Sequence, residues 1–341
     1  MLIVDPWVWL GLRVLYGLAL VSLYMVIESW LNAQVRNENR GQMFAIYMAV
    51  NLGALAAAQQ LLSLAEPTEF LLFALAAMLI SAALMPITLT RQPQPSVPDT
   101  LHTKLRAIAG IAPLSIAAAG LSGLALGAFW GMAPVYASLN GFDAAGVGLM
   151  MSATILGGAL LQWPIGRFSD NHDRRWVLFW VVSAAVVVAL LMSLLPAGRA
   201  LLALMFLFGG LSFAIYPIAV AQLIDQLHSD EILSGSSSLL MVNGVGSVCG
   251  PLLAGLLMQY SGAAALPLYF AATLGLLAAY TFYRLRHVSD LVAGEQAHFV
   301  PMLRTSHTVL ELMPDAPPSA DDIDSDNDQT GDEREPVTTS S

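Results

Sequence analysis

Cysteine and charge are what this sequence has least of. One cysteine, Cys249, in 341 residues cannot close an internal disulfide, which excludes disulfide scaffolds and Cys-based zinc clusters. Asp, Glu, Lys and Arg make up only 11% of the chain while 57% is hydrophobic. An ordinary soluble domain has about 25% charged and about 45–50% apolar residues, so a soluble globular enzyme does not fit. The six histidines form no His-x-x-x-His pair or other ligand spacing, and no nucleophile elbow occurs. We therefore expect no metal site, no cofactor, no enzymatic chemistry and no nucleic-acid partner.

The net charge of -10 belongs to one end of the chain. Twelve of the 24 acids lie after residue 287, with only Arg304 and Arg334 beside them. The body before that point carries 12 acids against 12 Lys and Arg, a net charge of zero. The tail is poor in aromatics and rich in Asp, Pro, Ser and Thr. It cannot bury enough apolar surface to offset its ordering entropy and is expected to be disordered. Asp324, Asp326, Asp328 and Glu335 imitate the spacing of a calcium loop, but Gln329 stands where glycine is needed and no helix flanks the segment.

What is abundant is long apolar runs. A bilayer core of about 30 Å needs about 20 apolar residues per helical span, and the body divides into nine such runs at residues 6–31, 42–64, 69–90, 108–138, 144–165, 175–196, 199–225, 234–260 and 263–284. The first contains Arg13 and Glu28 and no small-residue cleavage site follows it, so it reads as a retained span, not a signal peptide. Basic loops stay cytoplasmic. The loops after spans one, three and five carry Arg36 and Arg40, then Arg91, Lys104 and Arg106, then Arg167, Arg174 and Arg175, whereas the opposite loops hold only Arg199. That bias predicts a C-terminus in the cytoplasm, for a chain expected in the inner membrane. Residues 91–107, with Pro93, Pro95 and Pro98, read as a linker between two bundles.

Between spans five and six runs Gly166-Arg167-Phe168-Ser169-Asp170-Asn171-His172-Asp173-Arg174-Arg175. A glycine permits a tight turn, a carboxylate accepts from N–H groups at a helix start, and arginines bridge to nearby acids. A plain basic loop is the bland alternative. The segment resembles the Gly-x-x-x-Asp-x-x-x-Arg-Arg signature of the major facilitator superfamily, with Asp173 in place of the usual glycine. That signature follows the family's second helix and, less completely, its eighth. If the segment follows the eighth, the first span here is similar to the family's fourth helix, whose Arg-x-x-x-Gly is matched by Arg13 and Gly17. The resemblance then covers residues 6–286 and lacks the family's first three helices. Glu28-Ser29-Trp30-Leu31-Asn32, followed by Arg36-Asn37-Glu38-Asn39-Arg40-Gly41, resembles the subgroup of bacterial permeases called YcaD-type.

An internal repeat supports the likeness. Glu28 ends span one as Asp225 ends span seven, and Met48 to Gly53 resembles Leu240 to Val245. Such halves, related by an axis along the membrane normal, are a known transporter arrangement. The resemblance implies that Asp170, Arg174 and Asp225, with Gly166, Arg167, Arg175 and Glu28, form gating elements on the cytoplasmic side. Arg13 lies roughly 10 Å inside its span and is a functional candidate, or it snorkels to the outer surface. Gly246, Gly250, Pro251 and Gly255 read as a helix-packing stripe, and Gly17 joins that class. The same glycines are no dinucleotide fingerprint, because they lie inside an apolar helix. Asn51, Gln59, Gln162 and Asn243 line a solute pathway or bond helix to helix. Two aromatic groups, Phe129, Trp130 and Tyr136, and Phe206, Phe213 and Tyr216, line a cavity or pack a core.

The expected fold is thus an all-α polytopic membrane protein of the major facilitator type. Residues 1–90 form the remainder of an N-terminal bundle, 91–107 a linker, 108–286 a six-helix C-terminal bundle, and 287–341 an acidic cytoplasmic tail. The expected function is secondary transport of a small solute by alternating access, with proton coupling left open. Its rivals are a truncated or inactive membrane anchor presenting the tail to a partner, and a membrane enzyme, for which no acid-base cluster is found.

Overall fold

The computed structural model describes residues 5–34, 40–65, 70–89, 105–195, 198–227 and 231–287. Among them are ten α-helices and no strand: α1 (Pro6–Gln34), α2 (Arg40–Gln60), α3 (Phe70–Leu89), α4 (Leu105–Ile111), α5 (Pro113–Leu139), α6 (Ala144–Asp170), α7 (Arg174–Leu194), α8 (Arg199–Ile224), α9 (Ile232–Ser261) and α10 (Ala265–His287). In lipid every backbone N–H and C=O must be satisfied within the protein, which leaves helices as the way for these apolar runs to fold.

Each of the nine expected spans coincides with a long helix. Eight are long and apolar enough to cross a bilayer, while the apolar stretch of α3, Phe70–Pro86, is shorter. Helix α3 as a whole has 20 residues, a rise of about 30 Å at 1.5 Å per residue, which matches a bilayer core of about 30 Å. The end of the expected linker is helical. Residues 105–107 belong to α4, whose Ile108 is fully buried in the core. An apolar side chain docked in the bundle extends helix into a stretch that prolines upstream marked as irregular. Residues 90–104 and the tail from 288 onward lie outside the described residues.

Helices α5 to α10 share one core running from Ile108 to Leu277, in which α5 lies along α9, α6 along α8, and α7 between α8 and α10. Short turns join them. Gly141 (φ 82°) turns the chain out of α5, and the Asp143 carboxylate then caps α6 by accepting from the Gly146 N–H at 2.8 Å. The first three helices are held more loosely. Helix α2 meets α6 through a small separate cluster of Leu52, Ala56 and Ile155. None of the Pro6–Tyr24 stretch of α1 is buried, although Trp9 stands edge-on to Phe73 of α3.

Helix contacts within the bundle run through glycines. A Cβ at Gly123 or Gly127 of α5 would collide with the carbonyl oxygens of Asn243 or Ser247 in α9. In return, a Cβ at Gly246 or Gly250 would collide with the carbonyls of Gly120 or Leu124. Pro251 covers Gly131, and α6 and α8 repeat the pattern, with Gly157 against Phe206 and Gly209 against Thr154. Gly246, Gly250 and Pro251 therefore pack as the spacing indicated. Two other assignments are corrected: nothing approaches Gly17, and Gly255 meets only the flexible end of Met132.

This contrast predicts opposite signs for one substitution. Gly→Ala in an open helical position gains about 1 kcal/mol of helix propensity, whereas overpacking a tight contact costs about 1–3 kcal/mol. Gly244, which has open space around it, should tolerate Gly244→Ala with an unchanged or higher midpoint of thermal unfolding in detergent. Gly250→Ala should lower that midpoint, and equal shifts for the two would show that α5 and α9 are not in backbone contact.

Candidate functional site

Three helix ends converge at one end of the bundle. Asp170 is the last residue of α6, Arg174 the first of α7, and Asp225 the C-cap of α8. Arg174 is 2% exposed, with Asp225 at 10% and Asp170 at 27%. Its Nε donates to Asp225 Oδ2 at 2.8 Å, its Nη2 to Asp170 Oδ1 at 3.2 Å and its Nη1 to Ser169 Oγ at 3.4 Å. One planar guanidinium thus joins three helices, which its fixed fork of donors suits better than a lysine would. Each charge stands at the end of its helix that the helix dipole disfavours, an arginine at an N-terminus and carboxylates at C-termini. Pairing offsets what the dipoles and burial cost.

The remaining loop residues have other roles than the sequence suggested. The N-cap of α7 is Asp173, which accepts from the Arg175 N–H at 2.9 Å and from the Arg175 side chain at 3.1 and 3.2 Å. That is the physical content of an aspartate in the glycine position: it caps α7 with a side-chain oxygen. Gly166 is no turn residue but a buried position inside α6, and the turn is Asn171 to Asp173. Arg167 is exposed, with its guanidinium 5.8 Å from the centre of the Trp163 ring.

The intramembrane polar candidates divide. Asn243 is buried and donates to the Ala119 carbonyl at 3.0 Å, bonding α9 to α5. Gln162 is buried and donates to the Phe213 carbonyl at 3.1 Å, bonding α6 to α8. Both bond helix to helix, the alternative to lining a pathway. Asn51 accepts from the Tyr24 hydroxyl at 3.4 Å, and Gln59 is half-buried with its carbonyl against Gly148 of α6. Arg13 is exposed on α1, and the Glu28 side chain lies outside the described residues. Among the described residues no three His, Cys, Asp or Glu gather at a possible metal site.

Two features escaped the sequence. Gln60 donates to Ser152 Oγ at 2.6 Å, and Ser152 donates to the Ala56 carbonyl at 2.8 Å, so α2 is pinned to α6 by polar bonds as well as by Leu52 and Ile155. Phe129, Trp130 and Phe213, drawn from two aromatic groups expected apart, form a single cluster with ring centres 5.1 to 6.1 Å apart. Periodicity along one helix carries no sign of a partner on another; only the small residues at 157, 158, 209 and 210 hint that α6 and α8 come close enough.

Comparison with known proteins agrees with this architecture. Residues 115–311 match the model of the Major Facilitator Superfamily. An uncharacterized MFS-type transporter of Yersinia pestis (strain Pestoides F) is 32% identical over 269 residues, covering 76% of this chain and 68% of that protein. One from Yersinia enterocolitica is 31% identical over 265 residues, with the same coverage. The MFS-type transporter YcaD of Escherichia fergusonii is 26% identical over 298 residues, covering 86% of this chain and 76% of its own length.

Burial sets the energetics of the ion cluster. Removing one partner of a buried pair costs about 3–5 kcal/mol, and an exposed pair is worth about 1 kcal/mol or less. Asp225→Ala should therefore destabilise the purified protein by about 3 kcal/mol, while Arg175→Ala, which breaks the outer pair with Asp173, should change it by no more than about 1 kcal/mol. Chemical denaturation in detergent distinguishes them, and similar losses would mean that burial of Arg174 adds nothing to its pairing.

Proposed function

The chain belongs to the major facilitator superfamily and is a multi-pass membrane transporter, and from that premise we propose that it moves a small solute across the inner membrane by alternating access, with its C-terminus in the cytoplasm. The observation that carries the mechanism is the burial of Arg174 between Asp170 and Asp225. By the distribution of Lys and Arg this end of the bundle faces the cytoplasm. Asp170, Arg174 and Asp225 act there as the gate, holding the ends of α6, α7 and α8 together while the cytoplasmic side is closed. Gly166, Arg167 and Arg175 complete the loop, and Glu28 has the matching role on α1 through the internal repeat. Residues 1–90 and 108–286 move as two bodies joined by the linker. Arg13 supplies the intramembrane charge of the pathway, with Asn51 and Gln59 lining it. Gln162 and Asn243 hold the helices that border it.

Asp170 is the contact to probe, because it is the most exposed of the three and its bond to Arg174 is the longer of the two ion pairs. Water replaces it at the least cost to folding, so its loss separates gating from stability. Membrane vesicles carrying the full chain are offered a mixture of cellular small molecules under an imposed pH gradient, and the retained compounds are read by mass spectrometry. We expect at least one compound to accumulate above vesicles lacking the chain. Its rate should fall at least about fivefold in Asp170→Asn, the lower end of coupling energies between sites, at similar membrane levels. No accumulation of any compound would overturn the transport reading, and an unchanged rate would remove Asp170 from the gate.

A further inference from the structure

The aromatic cluster lies where the two bodies meet. Trp130 packs both on the core of α5 to α10 and on the separate cluster of Leu52, Ala56 and Ile155 that joins α2 to α6. It is the residue common to both. Phe129 is fully buried and stands edge-on to Trp130 and to Phe213 at 5.1 and 6.1 Å. Trp130 and Phe213 are only partly buried, with ring centres 6.0 Å apart and planes inclined by 32°. They present two adjoining aromatic faces, not a stacked pair.

Three details set this cluster apart from ordinary core packing. First, Phe213 is held at both ends. Its carbonyl accepts from buried Gln162, and its ring fills the space over Gly158 that any side chain would occupy. Second, among the described residues the indole N–H of Trp130 has no hydrogen-bond acceptor and is not one of the buried unpartnered polar atoms, so it is open to an incoming acceptor. Third, the charges of α2, α5, α6 and α8 stand at helix ends, at Arg40, Arg167, Asp170 and Arg199. The middle of each is uncharged, so a charged group held against the rings would meet no counter-ion on these four helices and would bear the cost of desolvation.

We infer that Trp130 and Phe213, fixed by Phe129 and Gln162, form the binding site for the planar, uncharged aromatic part of a solute, a part that carries a hydrogen-bond acceptor for the Trp130 N–H. The inference rests on the transport reading for its purpose but is tested without it. The seam between the bodies is where a bound solute alters the balance between two arrangements, since it contacts α2 on one side and α5 and α8 on the other.

Coumarin, which is neutral, planar and carries a carbonyl, serves as the probe. Cyclohexanecarboxamide, similar in size but not planar, serves as its control. Equilibrium dialysis against the full chain in lipid nanodiscs, corrected for empty nanodiscs, reads binding with no gradient imposed. We expect saturable binding of coumarin and none of the control. Affinity should fall about tenfold or more in Trp130→Leu and in Phe213→Leu, the scale of one lost aromatic stacking contact. Trp130→Phe should retain part of the affinity, because it keeps the face and loses the N–H. Trp180→Leu, exposed on α7, should bind as the parent does. Thermal unfolding of each variant confirms folding, and either leucine variant suffices if the other fails to fold. Binding that is unsaturable, shared by the control compound, or unchanged in the folded leucine variants would overturn the inference. Saturable binding that depends on Trp130, in a chain that accumulates nothing in vesicles, would overturn the transport reading alone.

Discussion

Helices in a bilayer gain nothing from leaving an apolar solvent for an apolar neighbour, so this fold depends on how closely its backbones approach. Van der Waals contact and interhelical hydrogen bonds must supply what the hydrophobic effect supplies in water. The glycines of α5 and α9 show the consequence. They interleave so that each helix lays carbonyl oxygens where the other has no Cβ. Asn243 then reaches the Ala119 carbonyl across the same contact. Helices α6 and α8 use the same device at Gly157 and Gly209. These two pairings give the six-helix bundle its rigidity, and everything positioned by the bundle inherits it.

The ion cluster is one such inheritance. A guanidinium that is 2% exposed survives only because three helix ends are brought within its reach, and the ends of α6 and α8 are fixed by the glycine contacts farther along those two helices. Buried pairs are expensive to form and more expensive to break by halves. The cluster is therefore less a source of net stability than a constraint on arrangement: α6, α7 and α8 end together or Arg174 is left with a bare charge. The Asp173–Arg175 pair outside it carries no such constraint, being screened by water.

The helices were legible in the sequence because length and apolarity decide them almost alone. The ion cluster was legible too, since the spacing of Asp170 and Arg174 and the place of Asp225 at a helix end limit what each can touch. What the sequence could not carry was the identity of partners across helices. The stripe at Gly246 and Gly250 was plain, but its complement at Gly123 and Gly127 appears only when α5 is laid against α9. Asn243 and Gln162 could be read as bonding helix to helix or as lining a pathway for the same reason: a buried amide has the same appearance in a sequence whether its partner is a solute or a carbonyl one helix away. Asp173 illustrates the reverse case. Where the loop pattern calls for glycine, a side chain that caps α7 supplies another solution to the same turn.

The unequal strength of the contacts indicates which part of the molecule can move. Across the seam, α2 is tied to α6 by Gln60 to Ser152 and to the Gly148 carbonyl, by Ser152 to Ala56, and by the Gln59 carbonyl lying where Gly148 has no Cβ, with a small apolar cluster beneath. Interhelical hydrogen bonds in membranes average about 0.6 kcal/mol, so the three are worth about 2 kcal/mol together, to which one glycine contact adds. A minor arrangement separated by a few kcal/mol is populated at about 0.1–10%, within reach if the seam rearranges. Opening the α5–α9 contact would instead forfeit backbone packing over several turns, and opening the end of α8 would strand a buried charge. Motion thus costs less between α2 and the bundle, where one glycine is in backbone contact, than between α5 and α9, where four are. Trp130 packs on both sides of that boundary, against the core of the bundle and against the cluster that joins α2 to α6.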